Sequence, residues 1–217
     1  MRMLVCIIGR HGTGKTTIGK ALERLGMRHI SVGEIKRASR RNVFPDGIPH
    51  KLLGMLSVQP SNTLISMASA WELVRFLLTV PRCSVDGFPP AAEYIELLPP
   101  DTFIIYCITP KLLRERRLSQ RSEETGRKWN PGGISARDAE LARLTRAVRG
   151  RFRFMPVRND GRQIGSVVEQ IKSLLNVQTD GITEIWLSPD NHMVANHDNT
   201  PDPQRKAMQV SLRIPSL

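Results

Sequence analysis

The chain has 217 residues, 40% hydrophobic and 24% charged, the composition of a soluble globular domain with an extension and not of a disordered or collagen-like chain. No apolar run approaches the roughly 20 residues of a spanning helix, and the short apolar start at 3–8 lacks a cleavage site for a secretory leader, so a cytoplasmic protein off the membrane is expected. Thirty-two Lys and Arg against 20 Asp and Glu give a net charge of +12, a balance that points to a polyanionic partner.

Apolar runs bounded by turn residues alternate with longer helical patterns, the signature of a parallel sheet with crossover helices. The first strand is Met3 to Ile8. It runs into Gly9-Arg10-His11-Gly12-Thr13-Gly14-Lys15-Thr16, a complete G-x-x-x-x-G-K-[ST] loop, followed by Thr17 and a helix from Lys15 to about Leu25. Gly9, Gly12 and Gly14 let the backbone curl so that successive N–H groups, those of Thr13 to Thr17 included, point at phosphate oxygens. The helix N-terminus adds its dipole. In this reading Lys15 reaches the β- and γ-phosphates of ATP and the Thr16 hydroxyl helps to hold Mg²⁺. His11 reads as a variable loop residue facing solvent.

A second strand follows at His29 to Ser31, then the basic cluster Lys36-Arg37-Ala38-Ser39-Arg40-Arg41, then a helix over Ser61 to Leu78 in which Trp71 reads as a packing residue. The third strand, Cys83 to Val85, ends at Asp86. A neighbouring parallel strand would aim this carboxylate at the metal beside Thr16, although an Asp there can also cap a following helix. A fourth strand at Thr102 to Ile108 leads into helices over Pro110 to Gln120 and Ser135 to Arg153. A fifth strand near Phe154 to Val157 and a helix from Ile164 to Leu175 close the pattern. Cys6, Cys83 and Cys107 lie far apart, each inside an apolar run, and read as buried reduced thiols.

The positive charge is uneven. Residues 1–175 hold 29 Lys and Arg against 15 acids, and 111–153 alone hold 13 against five. The last 42 residues break the strand–helix alternation; 183–187 and 192–195 around Ser188-Pro189-Asp190-Asn191 suggest a hairpin. Two units are therefore expected, 1–175 and an extension at 176–217.

Over residues 3–175 the order of motifs resembles the short-lid adenylate kinase family of nucleoside monophosphate kinases. The phosphate loop is one such motif. Ser31-Val32-Gly33-Glu34 with Arg37 resembles its Ser-Thr-Gly-Asp segment and following Arg, and Asp86-Gly87-Phe88-Pro89 resembles its Asp-Gly-Phe-Pro-Arg. Arg117, Arg121 and Arg127 fall where the family carries nucleotide-contacting and lid arginines, Arg143-Leu144 resembles its next Arg-Leu, and Asn159-Asp160-Gly161 looks like its adenine-side loop. The resemblance implies an α/β P-loop kinase fold of three layers around a five-stranded parallel sheet. It also implies an acceptor-binding helical insertion at about 32–80, a short lid at about 121–137, and ATP with Mg²⁺. The implied catalytic set is Lys15, Asp86, Arg121, Arg127 and Arg143, with Arg117 on ATP and with Ser31 and Arg37 on the acceptor.

Two departures bear on the acceptor. Pro90 stands where the family places an acceptor-phosphate Arg, and Tyr94 where it places an adenine-reading Gln, so AMP is not expected. Trp129-Asn130 replaces the family's Asp-Asp. With the basic surface, these losses favour an acceptor nucleotide held within nucleic acid, DNA first, by Lys and Arg on flanking phosphates and by stacking on Tyr94, Trp71 or Trp129, as in phage-type kinases acting on hydroxymethylpyrimidines. A hydroxyl acceptor wants a carboxylate base, for which Glu34 and Asp86 are the candidates. The alternatives are a free nucleoside monophosphate kinase with shifted base choice and an ATP-switched nucleic-acid-binding module.

Overall fold

Alternating burial along one strand organises the molecule. In β1 (Met3–Ile8), Val5 and Ile7 face one side of the sheet and Leu4, Cys6 and Ile8 the other, and all five are buried. A strand buried on both faces must be central. The sheet is five-stranded and parallel in the order β2-β3-β1-β4-β5, with β2 Arg28–Ser31, β3 Arg82–Asp86, β4 Phe103–Ile108 and β5 Arg153–Arg158. The computed structural model describes residues 2–60, 63–126, 136–160 and 164–176. The described chain forms one compact unit that ends at Asn176. The hairpin expected in the extension lies outside the described residues.

Two apolar layers cover the sheet. On the Val5/Ile7 face, α1 (Lys15–Leu22) and α7 (Ile164–Asn176) bring Ile18, Leu22, Val167 and Ile171 onto Ile105 and Val157. On the Leu4/Cys6/Ile8 face, α2 (Val32–Arg40), α3 (His50–Ser57), α4 (Met67–Leu77) and α6 (Ala136–Arg149) supply Ile35, Leu53, Leu73 and Leu144. Each such side chain, fully buried, contributes roughly 1.5–3 kcal/mol relative to exposure. Cys6, Cys83 and Cys107 are free and buried, and burial pushes the thiols of Cys83 and Cys107 up to about 11 and about 12, which leaves them unreactive.

Element boundaries shift where local chemistry intervenes. The helix expected from residue 61 begins at Met67, because Ser66 caps it by accepting from the Ser69 N–H at 3.2 Å. The one expected to end at Gln120 continues as α5 (Lys111–Thr125) and stops at Gly126, whose φ of 65° is the left-handed exit. Helix α6 ends at Arg149, before Gly150, and leaves Arg153 to start β5. Three helices, α2, α3 and α4, fall within 32–80. Of these, α2 starts at Ser31, whose hydroxyl accepts from the Glu34 N–H, and α3 follows Pro49. Among the described residues no helix is long and apolar enough to cross a membrane.

Candidate active site

Parallel strands deliver their carboxyl ends to one edge, and that edge carries the loop. Gly9, Gly12 and Gly14 sit at φ of 144°, 78° and 84°, conformations that an L side chain rarely adopts. Space is as limiting as torsion at Gly14, where a Cβ would run into the Asn159 amide. That amide donates from Nδ2 to Thr13 O at 2.9 Å. The Thr13 hydroxyl, buried, ties back to Arg10 O at 2.9 Å. Lys15 is half-buried and its ammonium donates to Gly9 O at 2.8 Å and Arg10 O at 2.6 Å. Thr17 is exposed on α1.

Asp86 ends β3 in register with Ile7 of β1 and Ser31 of β2. Thr16 donates to its Oδ2 at 2.6 Å, Ser31 to its Oδ1 at 3.1 Å, and His29 Nε2 lies 3.3 Å from Oδ2. Burial alone pushes this carboxyl up. Hydrogen bonds from His29 and Thr16 and the charges of His29 and Lys15 outweigh it, and the group is held below the usual carboxylate value. Asp86 is thus an ionised, nearly buried anion beside the Thr16 hydroxyl, and the same contacts assign Ser31 to Asp86.

His29 is a site residue that sequence reading missed. Its ring is buried, with Nδ1 3.0 Å from Ser84 Oγ, and it occupies the gap that Gly19 leaves in α1. The only signal was its place two residues before Ser31 on a short strand.

The basic stretch divides between two surfaces. Arg114, Arg117 and Arg121 recur at spacings of three and four, share one face of α5, and are half-buried. Arg114 donates to His11 O at 3.4 Å and Arg117 to Asn159 Oδ1 at 3.3 Å. The other terminal nitrogen of Arg117, Nη1, is buried with no hydrogen-bond partner among the described residues. Arg143, by contrast, is 70% exposed and pairs with Glu140 at 3.3 Å, with no hydrogen bond or ion pair to the loop among the described residues. Arg146, Arg149, Arg151 and Arg153 are exposed as well; Arg149 lies over Phe154 and Arg151 pairs with Glu96. Arg127 and Trp129-Asn130 lie outside the described residues.

On the insertion, Arg37 is half-buried with Nη1 folded back over Gly33. Glu34 faces Lys20 of α1 at 3.5 Å. Three sequence expectations are corrected. Tyr94 is buried, its hydroxyl donates to Ile65 O at 2.5 Å and its ring stands edge-on to Phe88, so it offers no face to an acceptor. Trp71 is 55% exposed instead of packed. His11 does not face solvent alone: its N–H and Nδ1 each lie 3.2 Å from Asp138 Oδ1.

The site suits a nucleoside triphosphate with a hard cation. Arg117 Nη1 is a buried donor beside the loop with no hydrogen-bond partner among the described residues, the loop glycines hold the positive φ of a phosphate loop, and the Thr16 hydroxyl with the Asp86 carboxylate is an all-oxygen donor pair. Among the described residues no three His, Cys, Asp or Glu side chains form a group that could hold a metal ion.

No family model matches the sequence. The chain is 31% identical to an adenylate kinase of Chlamydia pneumoniae over 104 residues, 46% of this chain and 46% of that protein. It is 26% identical to a UPF0200 protein of Pyrobaculum aerophilum over 123 residues, 54% of this chain and 66% of that one. The chain thus spans between about half and two thirds of the length of these relatives. Among solved structures it superimposes on a sugar kinase from Janibacter sp. HTCC2649 with a TM-score of 0.53 at 16% identity, over 82% of this chain and 96% of that one. A shikimate kinase from Acinetobacter baumannii, in complex with shikimate, gives 0.52 at 16% identity over 83% and 97%. With the strand order and the loop after β1, these likenesses show that the chain has the α/β fold of the P-loop kinases, built on a five-stranded parallel sheet.

Proposed function

We propose that the protein is an ATP- and Mg²⁺-dependent phosphotransferase that moves the γ-phosphoryl group to a nucleotide or another small-molecule acceptor. The observation that carries this is the pairing of the Thr16 hydroxyl with an ionised, buried Asp86 at the end of β3, directly beside a complete phosphate loop. Thr16 and Asp86 would hold Mg²⁺ there, and the cation would supply positive charge against the negative charge of the phosphates. The chain's own part is positioning. Loop N–H groups orient the phosphates, Lys15 turns from the Gly9 and Arg10 carbonyls toward them, and Arg117 and Arg121 add charge from α5. The resemblance also assigns catalytic roles to Arg127 and Arg143; Arg143 pairs with Glu140 on its own helix, and a part for both in transfer belongs to the proposal.

The acceptor is proposed to lie between the strand ends and the α2–α4 insertion, with Arg37 as its cation and Glu34 or Asp86 as base where a hydroxyl is phosphorylated. An acceptor embedded in DNA leaned on stacking by Tyr94, Trp71 or Trp129; Tyr94, the one of these assigned to the acceptor site, is buried, which weakens that reading. A free acceptor, a nucleoside monophosphate or a small hydroxylated acid or sugar, is therefore the reading favoured. The neighbours named above, a sugar kinase and a shikimate kinase, share that acceptor class.

The test is transfer of label from γ-labelled ATP to three acceptor pools: free ribo- and deoxynucleoside monophosphates, small sugars and hydroxy acids, and nucleic acids including hydroxymethylated DNA. Label in either small-molecule pool supports the proposal. Label on polymer alone restores the nucleic-acid acceptor, and ATP binding without transfer to any pool identifies a nucleotide-switched binding module instead.

A further inference from the structure

Two of the loop's donors, the His11 N–H and the Lys15 ammonium, are already engaged by the protein itself. Asp138, at the start of α6 and 127 residues from His11 in sequence, places Oδ1 3.2 Å from the His11 backbone N–H and 3.2 Å from the same residue's Nδ1. Its side chain is 12% exposed, so little water competes for that oxygen. The loop lysine is turned inward, on Gly9 O and Arg10 O, and Arg114 holds His11 O. Burial would raise the Asp138 carboxyl, but the His11 hydrogen bonds and charge and the charge of Lys15 hold it below its ordinary value. An ionised carboxylate at the mouth of a phosphate loop does two things to an incoming polyphosphate: it occupies a backbone donor, and it repels like charge in a partly dry setting.

We propose that Asp138 is a built-in competitor for the phosphate loop, and that nucleotide binds by displacing its carboxylate from His11. This inference rests on reading the loop as a nucleotide site. It gives α6 a role the sequence motifs do not assign, coupling loop occupancy to the position of the helix that follows the lid segment. A ligand shifts such a contact only through differential interaction with the two arrangements, and a triphosphate supplies it by taking the donors that Asp138 holds.

The experiment measures dissociation constants for ATP and for inorganic tripolyphosphate by calorimetry in the wild type, Asp138→Asn and Asp138→Ser. Asn is isosteric and Ser keeps a small polar group, so the two variants differ in packing but share the loss of charge. Both are expected to bind each ligand about tenfold more tightly than the wild type, the order of an ordinary coupling. Hydrogen exchange should also show the first turn of α6 in the wild type losing protection when ATP is added. Affinities that are unchanged or weaker in both variants, with the wild type binding ATP, overturn the proposal and leave the kinase reading standing. Tighter binding in the variants with no transfer to any acceptor does the reverse: the competitor stands and the kinase reading falls. Absence of ATP binding in all three proteins removes both.

Discussion

Gly19→Ala tests whether the structure explains how Asp86 is held. Gly19 is buried in α1, and a Cβ built there would lie no more than 2.6 Å from three atoms of the His29 imidazole. No rotation of a methyl relieves this; the ring must move, and with it the atom 3.3 Å from Asp86 Oδ2. Two opposing effects set the size. Overpacking a filled core costs about 1–3 kcal/mol, while Ala in place of Gly in a helix interior recovers roughly 0.5–1 kcal/mol. A net loss of about 1–2 kcal/mol follows from those two ranges. The decisive form is a cycle with His29→Ala, read by urea unfolding followed by circular dichroism. Once the ring is absent the added methyl has nothing to strike, so Gly19→Ala in that background should be neutral or stabilising. The cycle should then show a coupling equal to the overpacking cost, about 1–3 kcal/mol, well above the roughly 0.3–0.5 kcal/mol scatter of independent sites. Additive losses, or a Gly19→Ala protein as stable as the wild type, would refute the packing of His29 between α1 and Asp86.

Lys15→Ala should abolish phosphoryl transfer while leaving the midpoint of thermal unfolding within a few degrees of wild type, because the half-buried ammonium bonds loop carbonyls and lies outside the two apolar layers; normal turnover by the folded variant would sink the kinase reading. Tyr94→Phe should destabilise by about 1–3 kcal/mol in urea, since the buried Ile65 carbonyl loses its donor, and it should leave transfer rates little changed because Tyr94 lies in the core. Acid should loosen the site. Asp86 and Asp138 both have carboxyls held below the ordinary value of 3.8, so their stabilisation is complete at pH values above the unfolded-state titration and is lost as pH falls through the depressed folded values. The urea midpoint plotted against pH should therefore fall steeply only below about pH 4, and Asp86→Asn should flatten that fall; an unaltered slope in the variant would contradict the ionised state assigned to Asp86.

Much of the frame was legible in one dimension because its causes are local. A strand buried on both faces must be a continuous apolar run, and Met3–Ile8 is one. A phosphate loop needs glycines where φ is positive, and Gly9, Gly12 and Gly14 supply them at the expected spacing. Asp86 was readable for a related reason: a carboxylate at the end of a buried strand lies at the sheet edge that carries the loop. The helix boundaries were less legible, since Ser66 as a cap and Gly126 as an exit outweigh hydrophobic periodicity over five or six residues.

The side chains judged by type and neighbourhood were the ones that moved. Tyr94 and Trp71 exchanged the environments expected of them. The turn from α4 into β3 and the short 3₁₀ segment at Ala92–Leu97 bring Tyr94 against Phe88 and Ile65, while the stripe of α4 that faces the core runs through Ala70, Leu73, Val74 and Leu77 and leaves Trp71 outside it. Arg117 and Arg143 look alike in sequence, yet one is drawn to Asn159 and the other to its own helix neighbour Glu140.

By itself, then, the sequence determined the parallel sheet, the loop that follows its central strand and the acid that faces it, because hydrophobic alternation, glycine torsions and loop spacing are properties of neighbouring residues. Only the tertiary structure decided which groups meet at the loop: His29 under Asp86 in the space left by Gly19, Asn159 on Thr13 and against Gly14, and Asp138 on His11. These contacts join residues up to 146 positions apart, and no local pattern encodes them, since they depend on where the packing of two apolar layers brings each strand end and helix start.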